Sequence, residues 1–393
     1  MRVALVHESI TGFHGSERVL ESLARLYPDA PIFVLIHHPS ATRGTALEGR
    51  DIRTSVLDRL PWLRNRHRIL LPFMPYAVEQ HDLRGFDVVI SSHHAAAHGV
   101  LTRADQLHLC YTHSPARYAW DLYHDHVPPH KFSPIKRAVM HRFRQWDALA
   151  GQRVDEFAAN SKHVAARIRK TYRRDATVIY PPVDTARFRA DRDREDFYLV
   201  AGRLVKYKNV DVVLESFMRT GKRLVVVGDG SDRKKLEVLA GKRNHGYFMT
   251  RRRRFQREEL EQRGALAESP RIEFVGELKE AAFADRLERC RALLFAGEED
   301  FGMVPVEAMA AGAPVIALRR GGLTETVEDG VTGVFFDEPT PEAVTEAVQK
   351  FENQGVTAGP GELQCSAQRF AVPRFERQIQ DWVSGAWQRF IEQ

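Results

Sequence analysis

Two glutamates in the second half of the chain, Glu299 and Glu307, flank a segment whose residue types suit the binding of an anion. The apolar run Ala292–Ala296 predicts a buried strand, and Pro305 suits the first turn of the helix that follows the loop. The first backbone N–H groups of a helix have no partner within the helix, so they bind phosphate readily, and Gly302 lets a ligand approach them closely. The segment therefore predicts a phosphate site between two carboxylates.

The two carboxylates indicate what surrounds the phosphate. Since Glu299 and Glu307 would repel a diphosphate, we expect each of them to accept hydrogen bonds from hydroxyl groups. A nucleoside-diphosphate sugar has phosphates in its middle, a ribose on one side and a second sugar on the other, which matches this pattern. An ordinary surface helix with acidic residues near its N-terminus explains either glutamate alone but not the whole segment.

Two cations follow another predicted strand, Phe197–Ala201. Arg203 comes just after this strand, and Lys208 comes five residues later. Cations at the carboxyl edge of a parallel sheet are placed to stabilise the charge of a departing diphosphate, which is a task that a metal ion can also perform. Lys206 competes with Lys208 for this role, and a solvated basic loop is the alternative.

Two segments in the first half of the chain also carry residues suited to chemistry. The loop Thr11–Glu17 joins the first strand to a helix, and Gly15 lets its backbone amides face a phosphate; a tight turn without a ligand is the alternative. The tract Leu107–Asp121 begins as a buried strand and breaks at Pro115, which leaves His113 near the carboxyl end of that strand. Active-site residues favour this position, although a single histidine is more often structural.

Taken together, these segments resemble the retaining glycosyltransferases of family 4, which have the GT-B fold. The resemblance is carried by Glu299-Asp-Phe-Gly-Met-Val-Pro-Val-Glu307 with its continuation Ala-Met-Ala-Ala-Gly-Ala-Pro-Val-Ile, and it extends to Gly321-Gly-Leu-Thr-Glu325. The loop at Gly15 is similar to the Gly-Gly-x-Glu loop of the family, with His14 where a glycine is usual. The tract around His113 is similar to the family's His-Thr-Pro segment.

The resemblance implies a role for each matching position. Glu299 would contact hydroxyls of the transferred sugar, Glu307 would contact the ribose, and Arg203 and Lys208 would bind the donor phosphates. His113 would contact the donor sugar near the reacting centre. Further donor-binding positions are Gly15, Leu278, Phe301, Gly302, Met303 and Val304. The acceptor side is assigned to His14, Arg117, Trp120 and Asp121. The last three have a form associated with mannosyl-transferring members, although Trp120 equally suits a core.

Strand-like and helical patterns alternate in two series, which predicts two doubly wound parallel α/β domains. The resemblance implies that these are the two Rossmann-like domains of the GT-B fold, facing a cleft. We place an acceptor-binding domain at residues 1–180 and a donor-binding domain at residues 181–374, with Tyr180–Asp184 as the linker. The amphipathic pattern near the C-terminus predicts a helix, residues 375–393, that packs back on the first domain as in the family.

Length and composition favour a globular protein of two domains. The 393 residues are 43% hydrophobic, no apolar run approaches the roughly 18 residues of a membrane span, and the first residues resemble a strand rather than a signal peptide, so we expect a cytoplasmic protein. The three cysteines are widely spaced and indicate neither a metal cluster nor a disulfide framework. His93, His94 and His98 have no carboxylate or cysteine at a recurring ligand spacing, so no metal site is predicted there.

Two basic regions stand apart from these motifs. The net charge of +6 is too small to choose between phosphate ligands, nucleic acid and anionic lipid. Residues 130–146 interleave cations with apolar side chains, which suits a helix lying on the inner face of an anionic membrane, where lipid-linked acceptors reside; a helix packed by its apolar face is the alternative. The arginine run Arg251–Arg254 lies in a polar excursion, residues 241–270, whose function is unassigned.

These patterns lead to one hypothesis and three alternatives. We expect a retaining, metal-independent glycosyltransferase that needs no cofactor and moves a hexose from a nucleoside diphosphate, with GDP-mannose favoured, to an acceptor hydroxyl. The acceptor would be a glycan, a lipid-linked molecule or a small molecule, in glycan, polysaccharide, glycolipid or secondary-metabolite biosynthesis. The alternatives are an epimerase of the same fold, a phosphorylase of the same fold, and a non-catalytic protein that binds a nucleotide sugar or RNA. Nucleic acid is not the expected partner, because the donor-site motifs are complete.

Overall fold

The structure, a computed structural model, describes residues 1–59, 70–128, 132–241 and 272–392 and consists of two compact units. Unit 1 comprises residues 1–182 and 372–393, and unit 2 comprises residues 183–371. The arginine run Arg251–Arg254, almost all of the polar excursion that contains it, and residues 130 and 131 of the first basic region lie outside the described residues.

Unit 1 is built on a parallel sheet. Its strands are β1 (Val3–Ile10), β2 (Ile32–His37), β3 (Ile52–Thr54), β4 (Val88–His93), β5 (Leu107–Thr112), β6 (Glu156–Ala159) and β7 (Ala176–Val178). They lie in the order β3-β2-β1-β4-β5-β6-β7, with parallel pairing throughout. The central strands are buried along almost their whole length, which is why most of their residues are apolar, although several buried polar side chains lie among them.

Helices connect these strands on both faces. They are α1 (Gly15–Leu26), α2 (Pro39–Thr42), α3 (Met74–Glu79), α4 (Tyr123–His126), α5 (Pro134–Gly151) and α6 (Lys162–Tyr172). Helix α6 shows why a helix starts where it does: the Ser161 side chain accepts a hydrogen bond from the backbone N–H of Val164, which satisfies one of the free donors of the first turn.

Unit 2 repeats this architecture with a smaller parallel sheet. Its strands are β8 (Tyr198–Ala201), β9 (Leu224–Val227), β10 (Ile272–Gly276), β11 (Ala292–Phe295), β12 (Val315–Leu318) and β13 (Gly333–Phe336). They lie in the order β10-β9-β8-β11-β12-β13. The two sheets confirm the predicted pair of doubly wound parallel α/β structures.

The helices of unit 2 cover its sheet in the same way. They are α7 (Val210–Thr220), α8 (Arg233–Leu239), α9 (Glu280–Arg289), α10 (Met303–Ala310), α11 (Leu323–Thr326), α12 (Pro341–Gln354) and α13 (Pro360–Ala367). Helix α12 has the expected signals at both ends. Thr340 caps its N-terminus through a hydrogen bond from Ala343, Pro341 takes the first helical position, and Gly355 follows its last residue at a φ of 68°.

The last helix, α14 (Val372–Ile391), belongs to unit 1. One face of the helix is apolar at three- and four-residue intervals, and Phe375, Ile379 and Trp382 on this face are buried in the same core as Leu5 and Leu109. Across the described ranges, no helix combines the length and the apolar character that crossing a bilayer requires.

Candidate functional site

The strand order of unit 2 reverses between β8 and β11, which are hydrogen-bonded neighbours. At such a reversal the connections leave the carboxyl ends of the two strands in opposite directions and open a crevice, which is where ligands bind in sheets of this kind. Arg203 and Lys208 follow β8, and Glu299 follows β11. The fold therefore brings these three predicted residues to the same edge of the sheet.

Lys208 and Glu299 contact each other directly. The ammonium nitrogen of Lys208 forms an ion pair with Oε1 of Glu299, and the two side chains are only 15% and 21% exposed. The same ammonium lies 4.8 Å from the centre of the Phe295 ring, which adds a cation–π attraction. Arg203 is exposed and lines the same cavity as Lys208. Lys206, the alternative to Lys208, is exposed at the start of the same turn.

The turn that carries Lys208 is held against the end of β11. Asn209 adopts a left-handed conformation with a φ of 49°, and its side-chain amide donates a hydrogen bond of 3.0 Å to the carbonyl oxygen of Ala296. Gly297 allows this close approach, because a Cβ atom at that position would lie 3.0 Å from Cα of Lys208. The position of the ammonium against Glu299 thus depends on residues from two separate loops.

Helix α10 begins beside Glu299 and presents the backbone N–H groups of its first turn. Gly302 precedes the helix with a φ of 90°, a conformation that favours glycine, and a Cβ atom there would meet Cδ1 of Leu323 at 2.9 Å. Met303 and Val304 form the start of the helix and are half-buried. A helix N-terminus of this kind attracts phosphate through its N–H groups and its dipole.

The other two predicted donor-binding residues of unit 2 are placed differently. Phe301 is buried and packs edge-on against Phe370, with ring centres 5.2 Å apart, so its side chain is part of the core. Leu278 is half-buried in the short connection between β10 and α9.

A pair of glycines holds the Glu299 loop in place. Gly321 forms an isolated backbone bridge with Glu299, and the N–H of Gly322 donates a hydrogen bond of 2.8 Å to the carbonyl oxygen of Glu299. A Cβ atom at Gly321 would lie 2.3 Å from that carbonyl oxygen. Any other residue at Gly321 would therefore push the Glu299 loop out of position.

Glu307 is buried on α10 and is paired with a cation that the sequence motifs do not include. Nη2 of Arg187 lies 2.6 Å from Oε1 of Glu307, and Nη1 of the same guanidinium lies 3.4 Å from Oε1 of Glu280. Arg187 precedes Glu307 by 120 residues, so no local pattern connects them. The available signal is physical: a carboxylate on a helix as apolar as α10 needs a cationic partner when it is buried.

In unit 1 the strand order reverses between β1 and β4. The loop after β1 leads to α1, so His14, which is exposed, and Gly15, which starts the helix, lie at this edge. Strand β5 follows β4 in the sheet and ends next to His113. The carboxyl ends of β1, β4 and β5 bring together a group of histidines and carboxylates that includes His7, Glu8, His93 and His113.

His113 is half-buried and its ring is neutral near pH 7. Burial lowers the pKa of His113 well below its ordinary value, and the nearby rings of His94 and His7 lower it further. Nε2 of His113 lies 2.8 Å from Oγ of Ser92. The backbone carbonyl of His113 accepts a hydrogen bond of 2.9 Å from the side-chain amide of Asn160, which fixes the loop that carries the histidine.

Glu8 is a buried carboxylate that sequence reasoning missed. Its two oxygens accept hydrogen bonds of 2.7–3.0 Å from the backbone N–H groups of residues 94–97, directly after β4. Burial by itself would raise the pKa of Glu8, but hydrogen bonding and the charges of His93 and His94 hold it well below its ordinary value. Glu8 therefore acts as an internal anion that shapes the loop after β4.

The fold brings a carboxylate to His93 and His98 from a distant part of the sequence, although none lies at a ligand spacing within their own segment. Asp147, from α5, lies with its ligand atoms within 4.8 Å of those of both histidines. No local sequence pattern indicates this contact, because Asp147 is 49 residues beyond His98. Each oxygen of Asp147 already accepts a hydrogen bond, from Trp120 at 2.7 Å and from Tyr172 at 3.2 Å, and burial raises the pKa of Asp147 to about 6. We interpret the group as a buried hydrogen-bond network.

The residues predicted for the acceptor side have different surroundings. The indole N–H of Trp120 is used by Asp147, which favours the core alternative for this residue. Asp121 is half exposed and forms an ion pair of 2.7 Å with Arg167. Arg117 is half-buried, three residues before Trp120.

Two family models match the chain, one in each half. Residues 13–187 match the model described as Glycosyltransferase Family 4, and residues 195–354 match the model described as Glycosyl transferases group 1. Between them, the two matched segments include every predicted site residue.

Curated proteins with similar sequences cover a little more than half of the chain. An uncharacterized glycosyltransferase of Methanocaldococcus jannaschii is 28% identical over 51% of the chain and 50% of its own length. The human alpha-1,3/1,6-mannosyltransferase ALG2 is 25% identical over 58% of each protein. A GDP-mannose-dependent phosphatidylinositol monomannoside mannosyltransferase of Mycolicibacterium smegmatis is 28% identical over 57% of the chain and 58% of its own length. The chain thus spans about half to three-fifths of these relatives.

Solved structures match over almost the whole chain. HepE of Anabaena, solved in complex with UDP, has a TM-score of 0.66 at 17% identity and covers 98% of this chain and 100% of its own. The apo form of the lipopolysaccharide outer core galactosyltransferase WaaB has a TM-score of 0.62 at 18% identity and covers 98% of this chain and 99% of its own. The chain has the GT-B fold and belongs to the group 1, family 4 glycosyltransferases.

Proposed function

We propose that the protein is a retaining, metal-independent glycosyltransferase that moves a hexose from a nucleoside diphosphate to an acceptor hydroxyl, with GDP-mannose as the donor. The observation that carries this proposal is the Lys208–Glu299 ion pair at the strand reversal of unit 2, beside the start of α10. One ligand suits all three groups. Its phosphates would bind the helix N–H groups and the ammonium, and its sugar hydroxyls would donate to the carboxylate.

The reaction breaks the bond between the anomeric carbon of the sugar and the terminal phosphate oxygen. Negative charge grows on the diphosphate as this bond breaks, and Lys208, Arg203 and the N-terminus of α10 stabilise that charge without reorganisation. These cations provide the charge that a metal ion would otherwise supply. The site therefore favours departure of the diphosphate.

Retention follows if the acceptor attacks from the side that the diphosphate leaves. Glu299 is already paired with Lys208 and is assigned to sugar hydroxyls, so it does not serve as the nucleophile. The acceptor hydroxyl forms the new bond to the anomeric carbon and transfers its proton to the departing phosphate oxygen. The protein contributes orientation and charge stabilisation to this front-face substitution.

The remaining predicted residues receive roles on the same basis. Glu307, oriented by Arg187, is assigned to the ribose hydroxyls, and Gly15 of unit 1 is assigned to the diphosphate. His113 is assigned to the transferred sugar. The acceptor is assigned to unit 1, with His14, Arg117 and Asp121 as its candidate contacts, while Trp120 is better explained as part of the core.

We favour GDP-mannose as the donor because two of the relatives are described as mannosyltransferases. The Mycolicibacterium relative is described as GDP-mannose-dependent, and human ALG2 is described as a mannosyltransferase. A UDP-sugar is the second candidate, because structures of the similar HepE contain UDP and UDP-glucose.

We also propose that helix α5 places the protein on an anionic membrane that carries a lipid-linked acceptor. Phe132 and Ile135, at the start of α5, are 95% and 80% exposed. Lys136 and Arg142 are exposed on the same helix. Apolar side chains that would enter the acyl boundary, next to cations that would meet lipid phosphates, are typical of helices that lie on a membrane surface.

The donor assignment is tested by thermal unfolding of the full chain with GDP-, UDP-, ADP- and dTDP-sugars, in magnesium and in EDTA. A ligand that binds only the folded protein raises its stability by RT ln(1 + [L]/Kd). We expect GDP-mannose to raise Tm equally with and without magnesium, and the increase to be lost in Glu299→Gln but kept in the neighbouring Glu298→Gln. An increase with a different sugar nucleotide would replace the donor. The absence of any increase would contradict the proposed function.

A further inference from the structure

We propose that Glu17, His7 and Ser92 are positioning residues that determine which ring nitrogen of His113 carries its proton. This inference rests on the proposed role of His113 at the transferred sugar and adds to it. Glu17 is the last residue of the loop that resembles Gly-Gly-x-Glu, whereas His7 and Ser92 lie outside the motifs, and none of the three was assigned a ligand contact.

The four side chains form a continuous chain of contacts at the carboxyl edge of the unit 1 sheet. Oε1 of Glu17 lies 3.8 Å from Nε2 of His7, Nδ1 of His7 lies 3.0 Å from Oγ of Ser92, and Oγ of Ser92 lies 2.8 Å from Nε2 of His113. His7 and Ser92 are adjacent in the pairing of β1 with β4. Both are almost completely buried, at 1% and 0% exposure, so solvent does not compete for these contacts.

Glu17 presents a charged oxygen to His7 because its other oxygen is occupied. Oε2 accepts hydrogen bonds from the backbone N–H of His14 at 2.9 Å and from the hydroxyl of Ser16 at 3.0 Å. Burial alone would raise the pKa of Glu17, but the contact with His7 lowers it to about 2. The carboxylate is therefore ionised at neutral pH, with Oε1 directed at the His7 ring.

The charge of Glu17 sets which atom donates and which accepts in each contact from His7 to His113. With His7 neutral, its single proton is attracted to Nε2 by the ionised carboxylate 3.8 Å away, which leaves Nδ1 of His7 as an acceptor. The hydroxyl of Ser92 then donates to His7, and its oxygen lone pair accepts from Nε2–H of His113. His113 is thus held with its proton on Nε2 and a lone pair on Nδ1.

This tautomer decides what His113 offers to a sugar. With the lone pair on Nδ1, the ring accepts a hydrogen bond from a hydroxyl of the donor sugar. With the proton on Nδ1, the ring would instead donate a hydrogen bond to a sugar oxygen. The orientation of the ring is set by the same contacts. Removing such a partner from a metal-ligating histidine typically changes metal affinity or activity by about 10- to 100-fold, and we expect an effect of that order here.

Glu17→Gln is the sharpest test, because it should reverse the direction of every hydrogen bond between Glu17 and His113. The backbone N–H of His14 still needs an acceptor, so the amide oxygen should take the place of Oε2 and the amide NH₂ should face His7. Nε2 of His7 would then accept, its Nδ1–H would donate to Ser92, and the Ser92 hydroxyl would donate to Nε2 of His113. The proton of His113 should move to Nδ1.

The measurement is the ¹⁵N NMR spectrum of the full chain labelled at histidine, in which the two ring nitrogens of each tautomer have distinct shifts. His113→Gln identifies the signals of His113. We expect the Nε2–H form in the unaltered protein, the Nδ1–H form in Glu17→Gln, and a mixture in Ser92→Ala. Persistence of the Nε2–H form in Glu17→Gln would overturn the proposal.

Ser91→Ala is the matched control. Ser91 is equally buried on β4, but it points to the other face, where its hydroxyl lies 2.9 Å from Nε2 of His108. This variant loses a comparable hydrogen bond and should leave the His113 tautomer unchanged. If it changed the tautomer as Ser92→Ala does, a general loosening of the sheet would replace the proposal.

Turnover separates this inference from the proposed function. If the protein transfers sugar, we expect kcat to fall about tenfold or more in Glu17→Gln and Ser92→Ala, with the KM for the donor little changed. If the tautomers of His113 change as described but neither the unaltered protein nor any variant turns over a sugar nucleotide, the inference about Glu17, His7 and Ser92 holds and the proposed function is wrong.

Discussion

Both glutamates of the donor motif are paired with cations that come from remote parts of the chain. Lys208 holds Glu299 at the edge of the sheet, and Arg187 holds Glu307 on the buried helix α10. The two pairs differ in surroundings. The first lies where ligand phosphates are proposed to bind, so its loss should mainly affect turnover, whereas the second is deeper and its loss should mainly affect stability.

Replacing Lys208 with alanine should lower kcat about 10²- to 10³-fold, which is typical when one group that stabilises transition-state charge is removed. The physical reason is that the ammonium is placed to neutralise the departing diphosphate. Steady-state kinetics with the donor identified by thermal unfolding measure the change. Lys206→Ala, which removes an exposed ammonium from the same turn, should keep nearly full activity. Equal losses in the two variants would contradict the assignment of Lys208.

Replacing Arg187 with alanine should lower the free energy of unfolding by roughly 3 kcal/mol, because it leaves the Glu307 carboxylate buried without its cation. Urea unfolding followed by circular dichroism measures this change. Arg189→Ala is the control, since Arg189 pairs with Asp191 at the exposed surface and its loss should not move the transition. If Arg187→Ala were as stable as the control, the pair would not hold Glu307.

At the scale of elements, helix α5 has two faces with different surroundings. Met140, Phe143 and Asp147 lie on one face and are buried in unit 1, whereas Ile135 and Leu149 lie on the opposite face and are exposed. Both alternatives for this segment therefore hold in part, because the helix packs by an apolar face and also exposes apolar residues near cations. This exposed face is the proposed membrane contact.

The double substitution Phe132→Ser and Ile135→Ser should weaken binding to vesicles that contain phosphatidylglycerol by at least about tenfold, because it removes two side chains that would be buried in the acyl boundary. Cosedimentation with vesicles measures the binding, which should also weaken as salt is added. Ile391→Ser, which removes a 55% exposed apolar side chain from α14, is the control. Vesicle binding that is unaffected by the double substitution would contradict the proposed contact.

At the scale of the whole molecule, the histidines are distributed very unevenly. All 17 except His245 fall within the sequence of unit 1, and several are buried there without charge. Burial lowers the pKa of His81 to about 4 and that of His108 to about 3. Below an ordinary pKa of about 6.5, the unfolded chain binds protons that these folded residues cannot bind. Unit 1 should therefore lose stability as the pH falls from about 6.5 towards 4.

In urea, unit 1 should consequently unfold at a lower concentration than unit 2 at pH 5, whereas at pH 7 the two units should unfold together. All five tryptophans fall within the sequence of unit 1, so fluorescence reports on that unit, whereas far-UV circular dichroism reports on both. We expect the fluorescence midpoint to fall at pH 5 while part of the circular dichroism transition stays in place. The raised pKa of Asp147 has the opposite effect on the stability of unit 1, because the folded protein binds this proton more tightly than the unfolded chain. The effect of this one carboxyl should be smaller than the combined effect of several histidines. Transitions that remain coincident at both pH values would contradict this prediction.

Local patterns in the sequence were sufficient to predict the classes of element and most of the residues proposed for the site. Apolar runs bounded by glycine and proline are local signals, so they predicted the alternating strands and helices and therefore two parallel sheets. The motif from Glu299 to Glu307 and the basic turn at Lys208 are local as well. Each could be recognised without knowledge of its neighbours in space.

The contacts between these residues, in contrast, could be known only from the folded protein. Arg187 and Glu307 are 120 residues apart, and Asp147 reaches His98 from a different helix. The chain from Glu17 to His113 depends on strand order and on the register that places His7 beside Ser92. A shift of one residue would turn Ser92 to the other face of the sheet, where Ser91 now lies. Register and strand order are set by packing across the whole unit, and no local pattern in the sequence specifies them.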